Sequence, residues 1–244
     1  MEQLEQRRTV QKVRHELQRR ELVVDSVKPL GEHFVSVTFT GESLASFVSL
    51  GFDDHVKFFL DDVTGEPVRR DYTPRHYDTQ SRTLTVEFAL HGEGAASDWA
   101  RQAAPGQPAS FGGPKGSRIV PPDFDWHLLV ADATGLPATR RRLEELPAGV
   151  RAIVVAQVGA GDRILPETKA QLDVHWADDA DGVITALRAL ALPAGEGYAW
   201  GGGEAAMMKR VRDVLAGEKA LPKEAMRISA YWKQGAAEFH EDIE

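Results

Sequence analysis

Arg70-Asp71-Tyr72-Thr73-Pro74-Arg75 closes a run of residues with strand-like character, and the reading of the whole chain grows from it. Side chains two apart along a strand share a face, so Arg70 and Tyr72 project one way and Thr73 the other. Around this segment, short stretches rich in Val, Phe and Thr recur at 21–28, 33–40, 55–60, 68–73, 83–90 and 107–111. In His33-Phe34-Val35-Ser36-Val37-Thr38-Phe39-Thr40 the alternation puts Val35, Val37 and Phe39 on one face. Asp61 to Pro67 and Asp78 to Arg82 read as hairpin loops. Short strands at this spacing predict a small antiparallel barrel, interrupted by one helix at about 95–104.

Pro121-Pro122 marks a boundary, beyond which strands and helices alternate. Strand 126–131 leads into a helix at 137–146, then strands at 150–157 and 172–176, a helix at 182–190, a strand at 197–200, a helix at 204–216 and a final strand at 226–232. That alternation predicts a doubly wound parallel sheet with helices on both faces. The fold class expected is therefore all-β plus α/β, with a barrel domain over 21–122 and an α/β domain over 123–244. Ligands of open α/β sheets sit at the carboxyl ends of the strands, so the chemistry is expected where barrel loops face those ends.

Residues 3–20 are charged, with Leu4, Val10, Val13 and Leu17 at roughly helical spacing, and are read as an N-terminal helical extension over 1–20. Its basic cluster (Arg7, Arg8, Lys12, Arg14, Arg19, Arg20) admits a nucleic-acid contact, but a solvated helix packed on the barrel is preferred. The formal net charge of −8 also argues against nucleic acid as a partner. The chain has no cysteine, which excludes disulfides, thiolate metal sites, iron–sulfur clusters and cysteine nucleophiles. Redox chemistry would need a bound cofactor. The first twenty residues lack the apolar core of a secretory signal, and no apolar run approaches a membrane span, so a cytoplasmic protein is expected.

Four segments are candidates for chemistry. At the strand end, Tyr72 offers a flat wall, Thr73 a hydrogen bond and Arg70 a positive charge, which suit a flavin ring and its diphosphate. A charged strand edge that blunts aggregation is the plain alternative. His91-Gly92-Glu93-Gly94-Ala95-Ala96-Ser97 follows a strand and opens a helix, where small residues let a phosphate reach main-chain N–H groups. An ordinary Ser cap explains Ser97 as well. Ala131-Asp132-Ala133-Thr134-Gly135-Leu136-Pro137 occupies the place of a dinucleotide loop without being G-x-G-x-x-G, and a simple strand–helix connection has nearly equal weight. Gly201-Gly202-Gly203-Glu204 allows close approach of a ligand or of neighbouring backbone before the next helix.

Taken in order, these segments resemble the siderophore-interacting protein family of the ferredoxin-reductase-like superfamily. Arg70 to Arg75 is similar to its R-x-Y-T-x-R motif. His91 to Ala100 is similar to its H-G-x-x-G-P-A-S-x-W-A stretch, shortened by a residue and with Ala95 in place of Pro. Gly113-Pro114-Lys115-Gly116, Trp200 to Glu204 and Ser229-Ala230-Tyr231-Trp232-Lys233-Gln234-Gly235 resemble its G-P-R-G, W-x-x-G-E and S-G-Y-W-x-x-G motifs. Gly51 to Lys57 is most similar to the NADPH-dependent ferric-chelate reductase branch. The likeness runs over about residues 7–238.

The resemblance implies electron transfer from NADPH or NADH through FAD to a ferric siderophore or ferric chelate, which releases Fe(II). No protein acid, base, nucleophile or metal is implied, because the cofactor carries the chemistry. Arg70, Asp71, Tyr72, Thr73, Arg75, Glu87, Phe88, His91, Gly94, Ala95, Ala96, Ser97 and Trp232 would hold FAD. Asp132, Thr134, Gly135, Gly202, Gly203 and Glu204 would line the nucleotide path, with Arg163 or Lys209 near a 2′-phosphate. Lys57 and Lys115 would attract an anionic chelate. The chain departs from the family's G-D-E-T-A-L-P at Ala133, where a Glu is usual, so a charge beside the nucleotide path is lost. The competing classes are a flavoprotein with another electron donor, a non-catalytic siderophore-binding protein and a DNA-contacting protein using the basic N-terminal segment.

Overall fold

In the computed structural model the chain divides into two compact units, Met1–Val120 and Pro121–Glu244. The structure describes residues 8–61, 67–90, 94–236 and 241–243, without the side chains of 61 and 67.

The first unit contains β1 (Gln11–Arg14), β2 (Arg19–Pro29), β3 (Phe34–Thr40), β4 (Val56–Asp61), β5 (Pro67–Tyr72), β6 (His76–Asp78), β7 (Thr83–Ala89), helix α1 (Ala95–Arg101), β8 (Pro108–Gly112) and β9 (Gly116–Ile119). Seven strands form one antiparallel sheet in the order β5-β4-β8-β2-β3-β7-β6. The two ends of that order, β5 and β6, are separated in the chain only by Thr73-Pro74-Arg75. The sheet therefore curls until its first and last strands are one continuous stretch, and Thr73-Pro74-Arg75 is the corner that closes it. The interior is filled by the inward alternate residues, among them Leu22, Val37, Phe39, Phe58, Leu84, Val86, Phe88 and Phe111.

The helix expected at the N-terminus is not formed over the described part of 1–20. Residues 11–14 are extended and pair antiparallel with β9, Gln11 opposite Ile119 and Arg14 opposite Gly116, and β2 begins at Arg19. An amphipathic spacing makes a helix only when a core takes up its apolar stripe. Here Val13 is 36% and Leu17 65% exposed, so nothing rewards that stripe, whereas the edge of β9 takes up main-chain groups. Two members of the basic cluster serve the barrel instead. The guanidinium of Arg19 lies over the Phe59 ring at 4.6 Å, and buried Arg20 donates to the carbonyl of Gly113 at 2.9 Å.

The second unit contains β10 (Trp126–Asp132), α2 (Leu136–Glu145), β11 (Arg151–Gln157), β12 (Gln171–Ala177), α3 (Ala180–Ala189), β13 (Gly197–Glu204), α4 (Ala205–Asp213), β14 (Met226–Trp232) and β15 (Glu241–Asp242). Its sheet has the order β12-β11-β10-β13-β14-β15, parallel except for the added antiparallel edge β15. One face packs against α3 and α4 through residues such as Leu128, Val130, Val155, Val183, Met208 and Ile228. The strand residues are buried throughout β10, as expected of a parallel strand covered on both sides. Strand β13 runs four residues further than its sequence suggests: Gly201, Gly202 and Gly203 belong to the strand and are buried, not a loop before the helix. No helix among the described residues is long and apolar enough to cross a membrane.

Candidate cofactor sites

The barrel's closing corner carries the first group of expected residues. Arg75 N donates to the Thr85 carbonyl at 2.8 Å, and its Nε donates to Glu87 Oε1 at 3.1 Å. Both side chains of that ion pair are almost fully buried, 5% and 7% exposed. Arg75 and Glu87 thus fasten the corner to β7. Strand β6 covers β7 only from Thr83 to Thr85, and beyond it the gap toward β5 is bridged by rings, with Tyr72 and Phe88 centroids 4.4 Å apart. Phe88 is wholly buried, so its ring belongs to the core and only its main chain is left to face a ligand. Tyr72 is half-buried, and burial pushes its phenol pKa up against the opposing pull of Arg70, which keeps it neutral. Arg70 is half-buried, with one Nη donating to the Arg69 carbonyl at 2.8 Å, and Thr73 is buried at the corner. Asp71 faces differently, pairing with Lys57 at 2.8 Å and standing 4.0 Å from His55.

Helix α1 begins after Gly94, whose carbonyl accepts from Asp98 N at 2.9 Å. Among the described residues, a side chain at Gly94 would meet nothing within 4 Å, so on their side the approach to this turn is open. Ala96 and Ser97 are buried, Ala95 is half-buried, and Trp99 packs into the barrel's aromatic cluster 4.7 Å from Phe58 and 5.6 Å from Phe88. Tyr72 and α1 are thereby joined through Phe88. A cation, a flat ring, a hydroxyl and an open helix turn on one aromatic framework form a donor set that fits a planar ring carrying a diphosphate. His91 lies outside the described residues.

The second group gathers at the carboxyl ends of β10 and β13. The chain leaves β10 for β11 and β12 on one side, and then returns to the other side of β10 as β13. That reversal is the topological switch point where open parallel sheets bind ligands. At its centre is Asp132, 7% exposed. Its Oδ1 accepts from Thr134 N at 2.8 Å and Thr134 Oγ1 at 2.5 Å. Its Oδ2 accepts from Glu204 N and from Trp232 Nε1, both at 2.8 Å. Glu204 caps α4 by accepting from Ala206 N at 2.6 Å and Met207 N at 3.0 Å. The glycines make this closeness possible. A Cβ on Gly135 would stand 2.3 Å from the Gly202 carbonyl oxygen, and one on Gly203 would stand 2.8 Å from the Asp132 carboxylate.

Asp132, Thr134, Gly135, Gly202, Gly203 and Glu204 therefore form one cluster, as the sequence led us to expect of a site. Trp232, expected beside the flavin, is tied within the second unit to Asp132. Ala133 is half-buried in the short turn after Asp132. Arg163 stands in the segment after β11, its Nε donating to the Val158 carbonyl at 3.0 Å and its guanidinium paired with Asp178. Lys209 is exposed on α4, and Lys115 is exposed beside β9.

Sequence reading missed several buried polar groups. Asp54 accepts from Ser117 Oγ at 2.5 Å, Ser49 Oγ at 2.9 Å and Gly51 N at 3.1 Å, and burial still raises its pKa. Ser117 Oγ also lies 2.7 Å from His15 Nε2, which ties the segment before β2 to the barrel. In the second unit His127 is 1% exposed, and burial, helped by the charge of Arg142, pushes its pKa down to about 3. Arg140, Arg141 and Arg142 are buried in succession on α2, a run that sequence alone assigns to solvent.

Two family models match the chain. The model described as siderophore-interacting FAD-binding domain matches residues 61–118, and that of siderophore-interacting protein matches 124–235. The NADPH-dependent ferric-chelate reductase of Escherichia coli (strain K12) is 36% identical over 91% of this chain and 96% of its own length. The ferric vibriobactin reductase ViuB of Vibrio cholerae is 28% identical over 88% of this chain and 90% of its own. Among solved structures, a siderophore utilization protein from T. fusca superposes with a TM-score of 0.86 at 29% identity, covering 95% of this chain and 98% of that one.

Proposed function

The chain belongs to the siderophore-interacting protein family, and from that premise we propose that it is a flavoprotein reductase that passes electrons from NAD(P)H through FAD to ferric siderophores or ferric chelates. When bound, FAD supplies the conversion between a two-electron donor and a one-electron acceptor. Each hydride delivers an electron pair, so ferric ions are reduced pairwise and leave as Fe(II), which hard oxygen ligands hold poorly. The barrel domain, 21–122, holds the flavin, and the α/β domain, 123–244, holds the nicotinamide nucleotide.

In this reading Arg70 offers charge to the diphosphate, Tyr72 a ring wall, Thr73 a hydroxyl, and Gly94, Ala95, Ala96 and Ser97 an open turn of main-chain N–H groups. Arg75 and Glu87 serve by fixing the corner that carries them. The single observation that supports the assignment most is the position of Thr134, Gly135 and Gly202 to Glu204 at the switch point between β10 and β13. NADPH is the preferred donor by the likeness to the reductase branch. Of the two basic residues expected near a 2′-phosphate, Arg163 suits it better, because it follows β11 at the sheet's carboxyl edge. The substrate is a small ferric chelate, and the compartment is the cytoplasm.

The test is anaerobic stopped-flow reduction of the FAD-loaded protein by NADPH and by NADH, followed by mixing with several ferric chelates and capture of Fe(II). Bleaching of the flavin by nucleotide and its recovery on mixing with chelate are expected. A protein that takes up no flavin, or a yellow protein that stays oxidised with both nucleotides, overturns the reading. Equal turnover with both nucleotides removes the NADPH preference alone.

A further inference from the structure

We infer that Asp132 is a positioning residue of the nucleotide crevice, one that never touches the nucleotide but sets Trp232 and the Glu204 turn against it. The inference rests on the reading of the second unit as the nicotinamide nucleotide domain. A carboxylate has about four acceptor sites. On Asp132 they are taken by Thr134 N, Thr134 Oγ1, Glu204 N and Trp232 Nε1. No lone pair is left for a ligand, and the group is 7% exposed. Buried charge is held at a cost unless fully paired, and here the pairing reaches across three chain segments.

Those three segments are the turn after β10, the β13–α4 junction and the end of β14. The donors lie 72 and 100 positions further along the chain. Gly203 is required for this contact, since any Cβ there would run into the Asp132 carboxylate. The Trp232 indole is 37% exposed, so it keeps ring surface for a ligand while its N–H is anchored. A large aromatic at a strand end samples several rotamers unless something fixes it. Asp132 holds it in one, and a wall already in place saves the ligand the ordering cost.

Two variants separate this role from contact and from simple folding. Asp132→Asn keeps the shape but turns an amide N–H₂ toward one pair of donors. Trp232→Phe keeps an aromatic ring but removes the anchored N–H together with the second ring of the indole. Calorimetric titration of the oxidised, FAD-loaded protein with NADP⁺ measures the crevice without turnover. Each variant is expected to weaken NADP⁺ about tenfold, the scale of one hydrogen bond to a charged group. The double variant is expected to be no weaker than Asp132→Asn alone, because the Asp132–Trp232 link is already broken there. The melting of the barrel should stay at the wild-type value in both variants, and the FAD content should stay there in Asp132→Asn.

Variants that bind NADP⁺ like the wild type, or single effects that multiply in the double variant, overturn the inference. Loss of FAD together with the nucleotide in Asp132→Asn assigns Asp132 a structural role only and also overturns it. Trp232→Phe, altered at a part-exposed position, carries the test even if Asp132→Asn does not fold. A wild-type protein that binds neither NADP⁺ nor NAD⁺ is a different result, for it overturns the nucleotide-domain reading itself.

Discussion

Arg75 donates through Nε to Glu87 Oε1 at 3.1 Å across the seam where the barrel closes, with both side chains sequestered from water. Breaking one side of a buried pair costs more than the pair itself contributes, typically about 3–5 kcal/mol, because the remaining charge loses its counter-charge. Glu87→Ala should therefore lower the melting temperature of the flavin-free protein by roughly 10 °C, at a few degrees per kcal/mol. Glu87→Gln, which keeps an acceptor, should lose about half of that. Circular dichroism melts measure both. A Glu87→Ala protein that melts within a degree of wild type would show the pair to be dispensable.

This pair also shows what the sequence can and cannot convey. The six-residue motif was legible as a strand end, because alternation and residue type are local. That Thr73-Pro74-Arg75 closes the sheet was not, because closure depends on β6, a three-residue strand too short to announce itself. The same limit governs the errors. Val13 and Leu17 have helical spacing, but spacing does not tell whether a core lies behind it, and they are exposed. Gly201 to Gly203 look like a loop by propensity, yet they continue a buried strand because Trp200, Tyr231, Ile228 and Asp132 occupy the space that side chains would need. Asp132 falls in the cluster at the β10–β13 switch point, but its partners are too distant in sequence to be paired with it by inspection.

The glycines of the crevice give a second prediction. A Cβ on Gly135 would press on the main-chain oxygen of Gly202 at 2.3 Å, with no flexible side-chain end to yield. Gly135→Ala should cost about 1–3 kcal/mol, as overpacking does, and should weaken NADP⁺ by prising β10 from β13. Gly94→Ala is the matched control, since its Cβ would meet none of the described residues within 4 Å and its φ of 164° is ordinary extended backbone. It should change stability by less than about 0.5 kcal/mol. Chemical denaturation of the two variants side by side decides the matter, and equal losses would refute the steric account.

Acid should act on the second unit through His127. Its pKa is held down to about 3 by burial and by the charge of Arg142, against an unfolded value near 6.5. Below that unfolded value the unfolded chain binds a proton that the native imidazole refuses, so stability falls as pH falls from about 6.5 toward 3. The slope reaches about 1.4 kcal/mol per pH unit. Between pH 7 and pH 5 the wild type should thus lose about 2 kcal/mol more than His127→Gln, which has no proton to take up. Urea titrations at the two pH values measure the difference, and parallel losses in both proteins would remove His127 as the cause.

Lys57 gives the last prediction, on the substrate side. Its Nζ is 2.8 Å from Asp71 Oδ1, yet half of the side chain remains exposed, so its charge is partly neutralised and still available to an anion. If Lys57 attracts anionic ferric chelates, Lys57→Ala should raise KM for such a chelate a few-fold and leave the rate of flavin bleaching by NADPH unchanged. Asp71→Asn should act in the opposite sense, because it releases Lys57 from its counter-charge. Both effects act through the half-exposed Lys57 charge, so they should fade as ionic strength rises from about 0.05 M to 0.5 M and the screening length shrinks to a few ångströms. A neutral ferric chelate is the control and should not distinguish the variants. Equal KM shifts for neutral and anionic chelates would mean that Lys57 shapes the surface without steering charge, and no shift for either would take it out of the substrate site altogether.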